Sequence, residues 1–380
     1  MRTKVVNIVS FNNPFPPKYG GIIDVYYKIE ALYKIGYQIH LHCFVKEIPT
    51  HYDELSKITA SISFYFAEPK WYHFFSKMPL SIISRSSKDL VDKLITNDAP
   101  IIFESLKSTC LMNDYRLKNR FKVLRLHNIE QNYFEGIAKS ESNLFKKLMF
   151  FIEVSKYKKY EFNILNFQKV FTLSKYENSY IQENYNNGVY IPVFHGNKEV
   201  VELSEFGSYS IFHGDLSTSD NRKVALFLID VFKELPDYKL IIASGFGKDF
   251  ILKAIGNCSH IEHIEIQDFS HLKYLLNNAH IAISWSFQKS GTKLKLLNSL
   301  FNSRHNIVNE HIIDDVAVFP LCNRVNSKND LIQKIKYLNT VPYTKDHHLL
   351  KKEILAKTFS DDNNAKHIDS ILNKISNDKS

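Results

Sequence analysis

Short runs of β-branched and apolar residues alternate with stretches of helical period along the whole chain. The first half opens on Val5-Val6-Asn7-Ile8-Val9-Ser10-Phe11, which reads as a strand. A helix over 20–35 follows, then a strand over 37–44, with Gly36 as the turn between them. Runs at 62–66, 100–104, 121–126 and 169–173 continue the strand series. The second half repeats the arrangement. Strands are expected at 208–213, 238–243, 261–266, 279–285, 305–309 and 316–319, and helices at 221–235, 270–277, 292–301 and 328–338, the first of them stopped by Pro236. Strands alternating with helices predict parallel sheets covered on both faces. The expected fold class is therefore α/β, with two Rossmann-like doubly wound domains facing across a cleft. The pattern predicts an N-terminal domain over 1–190, a linker over 191–207 broken by Pro192 and Gly196, and a second domain over 208–355. A helical tail over 356–380 carries Ile368, Ile371, Leu372 and Ile375 at helical spacing and is expected to pack back on the first domain.

Composition narrows the class. Of the 380 residues, 44% are hydrophobic and 23% charged, which excludes a disordered chain, a collagen-like repeat and a coiled-coil rod. Cys43, Cys110, Cys258 and Cys322 lie far apart with no CxxC pair, so neither a zinc cluster nor a disulfide framework is expected, and a reducing compartment fits. The basic start Met1-Arg2-Thr3-Lys4 precedes only a short apolar run that enters Asn12-Asn13-Pro14, without a cleavage signal. No run reaches the ~18–20 apolar residues needed to span a bilayer. A cytoplasmic protein, peripheral at the inner face of the membrane, is the expectation. Charge is uneven: residues 1–190 hold 26 Lys and Arg against 18 Asp and Glu, so nearly all of the net +9 lies there. An anionic partner or a solvated basic face accounts for it equally well.

Ligands of open parallel sheets bind at the carboxyl ends of strands, so residues just after each predicted strand are the candidates. Gly20 and Gly21 open the first helix after Pro16-Pro17-Lys18-Tyr19 and let a backbone approach a ligand closely. Arg125 and His127 share one face at the end of the strand over 121–126, where His127 is either a substrate contact or a structural hydrogen-bonding histidine. Ser290-Gly291-Thr292-Lys293-Leu294-Lys295 starts a helix whose free amides and two lysines form a diphosphate cradle, and lysines in a first turn favour a bound anion there. Asn298, on the same face as Lys295, is a candidate for a ribose hydroxyl. The Walker pattern is absent. His40 and His42 alternate on one strand face and read as a partly buried face rather than a metal site; His347-His348 reads as surface. The segment 144–165 mixes Lys146, Lys147, Lys156, Lys158 and Lys159 with large apolar residues, either a core helix with a solvated face or one suited to an anionic membrane surface.

At these motifs the sequence resembles the GT-B-fold glycosyltransferases, specifically the family 4-like bacterial enzymes of surface polysaccharide. Asn13-Pro14-Phe15-Pro16-Pro17 to Gly20-Gly21 looks like their opening glycine loop. Leu124-Arg125-Leu126-His127-Asn128-Ile129-Glu130 is similar to their histidine segment, and Ile211-Phe212-His213-Gly214-Asp215-Leu216 through Asn221 resembles the start of their donor domain. Gly291-Thr292-Lys293-Leu294-Lys295-Leu296-Leu297-Asn298 matches their donor-phosphate loop and helix. The resemblance implies transfer of a sugar from a nucleotide-diphosphate donor to a glycan or lipid-linked acceptor. It further implies retention, no metal, and no cofactor beyond the nucleotide sugar as co-substrate; nucleic acid is not an expected partner. It assigns His127 to the transferred sugar as the catalytic contact. Gly20, Gly21, Gly214, Asn221, Gly291, Thr292, Lys293, Lys295 and Asn298 fall to the donor. Departures are clear: the family's paired carboxylates are replaced by Ser290 and Asn298, Asp215 stands where a basic residue is usual, and Asn221 where a lysine is. Two other functions remain open on these residues: a non-catalytic sugar-nucleotide-binding partner of another transferase, and a nucleotide-sugar epimerase.

Overall fold

In the computed structural model, which describes residues 4–17, 20–141, 143–288 and 294–377, the chain divides into two compact units. The first takes the chain up to Gly196 and the terminal helix Asp361–Asn377; the second takes the chain between them. The first unit's strands are β1 (Lys4–Ser10), β2 (Tyr37–Val45), β3 (Ser61–Phe66), β4 (Ile101–Glu104), β5 (Lys122–Leu126), β6 (Lys169–Thr172) and β7 (Gly188–Tyr190). They form one parallel sheet in the order β3-β2-β1-β4-β5-β6-β7. The second unit holds β8 (Tyr209–His213), β9 (Leu240–Ser244), β10 (Ile261–Glu265), β11 (Ala279–Ser284), β12 (His305–Val308) and β13 (Asn323–Arg324). These are again parallel, in the order β10-β9-β8-β11-β12-β13. In each sheet the strand order reverses beside its first strand, so the loops after β1 and β4, and after β8 and β11, diverge and leave room for a ligand.

Period-two alternation distributes the apolar side chains to both faces of each sheet. From β1, Val6 and Ile8 join Val25, Ile29 and Leu32 of the helix Gly20–Lys34 and Ile368 and Leu372 of the terminal helix, whereas Val9 faces Leu90, Leu94 and Tyr157. In the second unit, Phe212 and Ile242 pack under Val224 and Leu228, whereas Ile211 and Ile241 face Leu272 and Leu276. The terminal helix is tied to the first sheet through Asp369, which accepts from Lys4 Nζ at 3.0 Å and Tyr37 Oη at 2.9 Å. The stretch 191–207 is split: Ile191 and Phe194 are buried in the first unit's core, and the second unit begins at Asn197.

Two elements differ from the sequence pattern. The apolar run Val316–Phe319 is not a strand but part of a 3-10 helix, Val316–Leu321, because the Asp315 carboxylate caps its start at Ala317 N–H (3.0 Å) and Pro320 lacks the N–H a ladder needs. The edge position goes instead to the two-residue β13. The segment 144–165 is helical only over Leu144–Tyr160 and tightens to a 3-10 helix over Glu161–Asn166. His40 and His42 are held by Ser61 Oγ (2.7 Å) and Tyr65 Oη (2.9 Å), and burial pushes the His42 imidazole down to about 3. His347 caps the helix Lys345–Thr358 through Thr344. Among the described residues, no helix is long and apolar enough to cross a membrane.

Candidate functional site

In the first unit, the carboxyl ends of β4 and β5 meet the helix Gly20–Lys34 around five polar side chains, all buried. Asp24 accepts from Arg125 through both carboxylate oxygens (2.6 and 3.0 Å) and lies 3.2 Å from Lys28 Nζ. Lys28 Nζ in turn lies 2.7 and 2.8 Å from the two oxygens of Glu104. Burial alone would raise the Asp24 carboxyl, but the charges of Arg125 and Lys28 overturn it and hold the group well below the usual carboxylate range. Two anions and two cations therefore balance. Arg125 also donates to the carbonyls of Ile191 (2.6 Å) and Pro192 (3.1 Å), and Phe194 N–H donates to Asp24 (2.9 Å), so the cluster anchors the chain as it leaves the unit.

His127 sits at the edge of this cluster. Its Nε2 is 3.0 Å from Glu104 Oε2 and 4.0 Å from Asp24, and its buried Nδ1 has no partner among the described residues. Arg125 and His127 do share a face, as the strand period predicts. Gly21 is brought against the same ring: a Cβ there would lie 3.2 Å from His127 Nδ1 and 3.1 Å from the Phe11 ring. Glycine is thus the residue that lets the main chain close on the imidazole. Gly20 opens the helix and is exposed. Asp24, Glu104 and His127 could each offer a ligand atom to one ion, yet the two carboxylates already have Lys28 and Arg125 as counter-charges.

In the second unit, the loop after β8 and the helix Leu294–Asn302 bring Gly214, Asn221 and Lys295 together. Lys295 Nζ donates to Asn221 Oδ1 at 2.8 Å, and Asn221 Nδ2 donates to the Asp215 carbonyl at 2.9 Å. A Cβ at Gly214 would lie 3.1 Å from the Asn221 amide, so the glycine leaves this loop room to fold over it. Lys295 Nζ also lies 5.3 Å from the Phe212 ring centroid. Its own carbonyl is 3.2 Å from His213 Nε2; burial and the Lys295 charge push that imidazole down to about 4, so it donates as the neutral ring. Asp220 fixes the neighbouring segment, accepting from Ser286 Oγ (2.8 Å) and Phe287 N–H (3.1 Å).

Asn298 is placed differently from Lys295, although three residues separate them. Its Oδ1 accepts from Asn197 Nδ2 (3.1 Å), and Asn302 Nδ2 donates to Asn197 Oδ1 (2.9 Å), a buried amide chain separate from the Lys295–Asn221 contact at the loop after β8. Gly291, Thr292 and Lys293 lie outside the described residues. The sequence reading missed Asp24, Lys28, Glu104, Asp220 and Asn197. Two signals could have found the first three: an i,i+4 acid–base pair inside an apolar helix face, and a glutamate closing an apolar strand at the ligand-binding end.

Fold comparison gives the architecture its class. A glycosyltransferase from Rickettsia africae superposes with a TM-score of 0.64 over 99% of both chains at 13% identity. A TarM variant from S. aureus, solved with fondaparinux, α-GlcNAc-glycerol and UDP, reaches 0.66 over 98% of this chain and all of that one, at 13% identity. Anabaena HepE, solved with UDP and glucose, reaches 0.63 over 98% of this chain and all of that one, at 11% identity. The chain has the GT-B fold of glycosyltransferases, two parallel-sheet α/β domains. In sequence, an uncharacterised 44.6 kDa protein of the Klebsiella pneumoniae cps region is 27% identical over 325 residues, covering 78% of this chain and 80% of that one. No protein-family model matches the chain.

Proposed function

We propose that this protein is a glycosyltransferase of surface-polysaccharide synthesis, moving a hexosyl group from a nucleotide-diphosphate donor to a glycan or lipid-linked acceptor with retention. The observation that carries the reading is the convergence of Gly214, Asn221 and Lys295 at the carboxyl end of β8. An ammonium aimed at Asn221 beside a glycine at the end of a strand is placed to meet an incoming diphosphate. The capsule-region relative and the nucleotide in the TarM and HepE complexes support the same reading. In the reaction the C1–O bond to the diphosphate breaks, the acceptor oxygen bonds to C1, and the acceptor's proton leaves on the departing phosphate. Lys295, with the amides of Gly291 and Thr292 and with Lys293, stabilises the charge that develops on that phosphate, so the reading calls for no metal ion. Asn298 contributes by positioning Asn197 rather than by touching the ribose.

His127 contacts the transferred sugar through Nδ1, the ring nitrogen left without a protein partner, while Glu104 fixes the ring through Nε2. His127→Ala is expected to lower kcat at least tenfold with donor affinity nearly unchanged, measured by turnover and by calorimetry on the same preparation. Equal losses of stability and turnover would return His127 to a structural role. One observation favours a rival: with Asn298 and Ser290 where relatives carry carboxylates, donor binding without turnover is the alternative. Screening nucleotide sugars by thermal shift, then reading transfer, hydrolysis and epimerisation separately, distinguishes the transferase from a binding partner and from an epimerase.

A further inference from the structure

The helix Leu144–Tyr160 is apolar on two opposite sides. Glu153, Val154, Tyr157 and Tyr160 turn into the first unit, where Tyr157 stacks on Phe134 at 5.1 Å. The 3.6-residue period puts Leu144, Leu148, Phe151 and Ile152, with Phe145, on the other side. All five are exposed, Leu144 by 81% and Phe145 by 71%. The same period sets Lys147 and Lys158 along one border of this outward stripe and Lys159 at its C-terminal end. Beside it lies the 3-10 turn Trp71–Phe75, with Trp71 81% and Phe75 79% exposed, Tyr72 half-exposed, and Lys70 and Lys77 at its ends.

The turn is fastened to the helix. Lys156 Nζ donates to the Phe74 carbonyl at 2.8 Å, lies 5.1 Å from that ring's centroid and pairs with Glu153 at 3.0 Å; Glu153 also accepts from Leu80 N–H at 2.8 Å. Lys156 follows Ile152 by one helical turn, so the aromatic turn docks at the edge of the stripe. This role also removes Lys156 from the set of lysines that the sequence alone left to solvent or to an anionic membrane surface. We propose that Trp71, Tyr72, Phe75 and the outward stripe form one interfacial docking surface that inserts into the headgroup region of an anionic membrane leaflet.

Charge and composition select that occupant. From Lys139 to Lys175 the chain holds eight lysines against three glutamates, and Glu153 is used internally. Protein–protein interfaces are depleted in lysine, whereas lysine-bordered aromatics suit a headgroup layer, where rings sit at the interface and ammonium groups reach the phosphates. That the surface serves a lipid-linked acceptor rests on the transferase reading; the docking itself does not.

The chain carries its own reporter. Trp71 and Trp285 are its only tryptophans, and Trp285 is buried in the second unit's core. With phosphatidylcholine vesicles containing phosphatidylglycerol, the full chain is expected to co-sediment at low salt and release at high salt. Trp71 emission should shift to the blue and be quenched by brominated acyl chains. Trp71→Ala with Phe75→Ala should cut binding at least about tenfold. Lys147, Lys158 and Lys159 to Glu should cut it by about tenfold or more, since each surface lysine is worth about fivefold near such a leaflet. Absence of binding at low salt, or binding that leaves Trp71 emission unmoved, would overturn the proposal. So would a wild-type oligomer that Trp71→Ala with Phe75→Ala converts to monomer, which would give the surface to a second copy of the chain. A protein that docks by these residues yet turns over no nucleotide sugar would overturn the transferase reading and leave the docking surface standing.

Discussion

The two units place polar groups at equivalent strand ends by opposite means. In the first, Asp24, Lys28, Glu104 and Arg125 are fully buried charges that compensate one another around His127. In the second, Asn197, Asn298 and Asn302 form a neutral amide chain, and Lys295 reaches Asn221 and the Trp285 carbonyl. The difference teaches what each end can do. A compensated cluster fixes geometry and offers a ligand little net field, which suits orienting a neutral sugar. An ammonium set among neutral amides and a backbone carbonyl offers a positive field, which suits a diphosphate.

The most direct way to break this contrast is to uncompensate the first cluster. Arg125→Met leaves Asp24 with one cation fewer and frees the carbonyls of Ile191 and Pro192. It is expected to destabilise the first unit by about 3–5 kcal/mol, the cost of breaking a buried ion pair. Hydrogen exchange resolved by segment checks it: protection should fall in β1, β4, β5 and the helix Gly20–Lys34 and hold in the second unit. Asn298→Ala, the corresponding change in the amide chain, removes the acceptor of Asn197 Nδ2 and is expected to cost about 1–3 kcal/mol by urea unfolding. Donor affinity should fall less than on loss of Lys295.

Mild acid sharpens the comparison from the other side. The second unit buries His213 and His305, each pushed by burial down to about 4 from 6.5, and the first buries His42, pushed down to about 3. A folded-state value below the unfolded one means that stability is complete above 6.5 and is lost as the pH falls through the folded value. In the first unit, Glu161 and Asp361 are raised by burial and gain rather than lose on protonation. Between pH 6.5 and 4, exchange protection should therefore decline earlier in the second unit. Replacing His213 and His305 with Gln should flatten that decline.

The same contrast shows where sequence could lead. Strand–helix alternation exposed both sheets, and the lysines opening the helix at 294 stood out because cations in a first turn oppose the helix dipole. Lys295 was legible for that reason and Asn221 only through the family resemblance, though their 2.8 Å contact was not. The pair Asp24 and Arg125, 101 residues apart, depends on how β5 lies beside β4 and beneath a helix, which no local pattern encodes. Val316–Phe319 misled because four apolar residues fit a buried strand and a 3-10 turn alike until the Asp315 cap decides. For Lys156 the sequence offered only a place among the surface lysines of the segment, and the docked aromatic turn shows it pairing with Glu153 and the Phe74 carbonyl instead.

The central claim, that the second unit holds a nucleotide diphosphate on Lys295, is tested most directly by calorimetric titration. Wild type and Lys295→Ala are titrated with the nucleotide sugar that gives the largest thermal shift. Loss of a charge-assisted hydrogen bond should weaken binding by about 1.5–3 kcal/mol, or about ten- to a hundredfold, with thermal stability preserved. Equal affinities for the two proteins, or a wild type that binds no nucleotide sugar, would contradict the account.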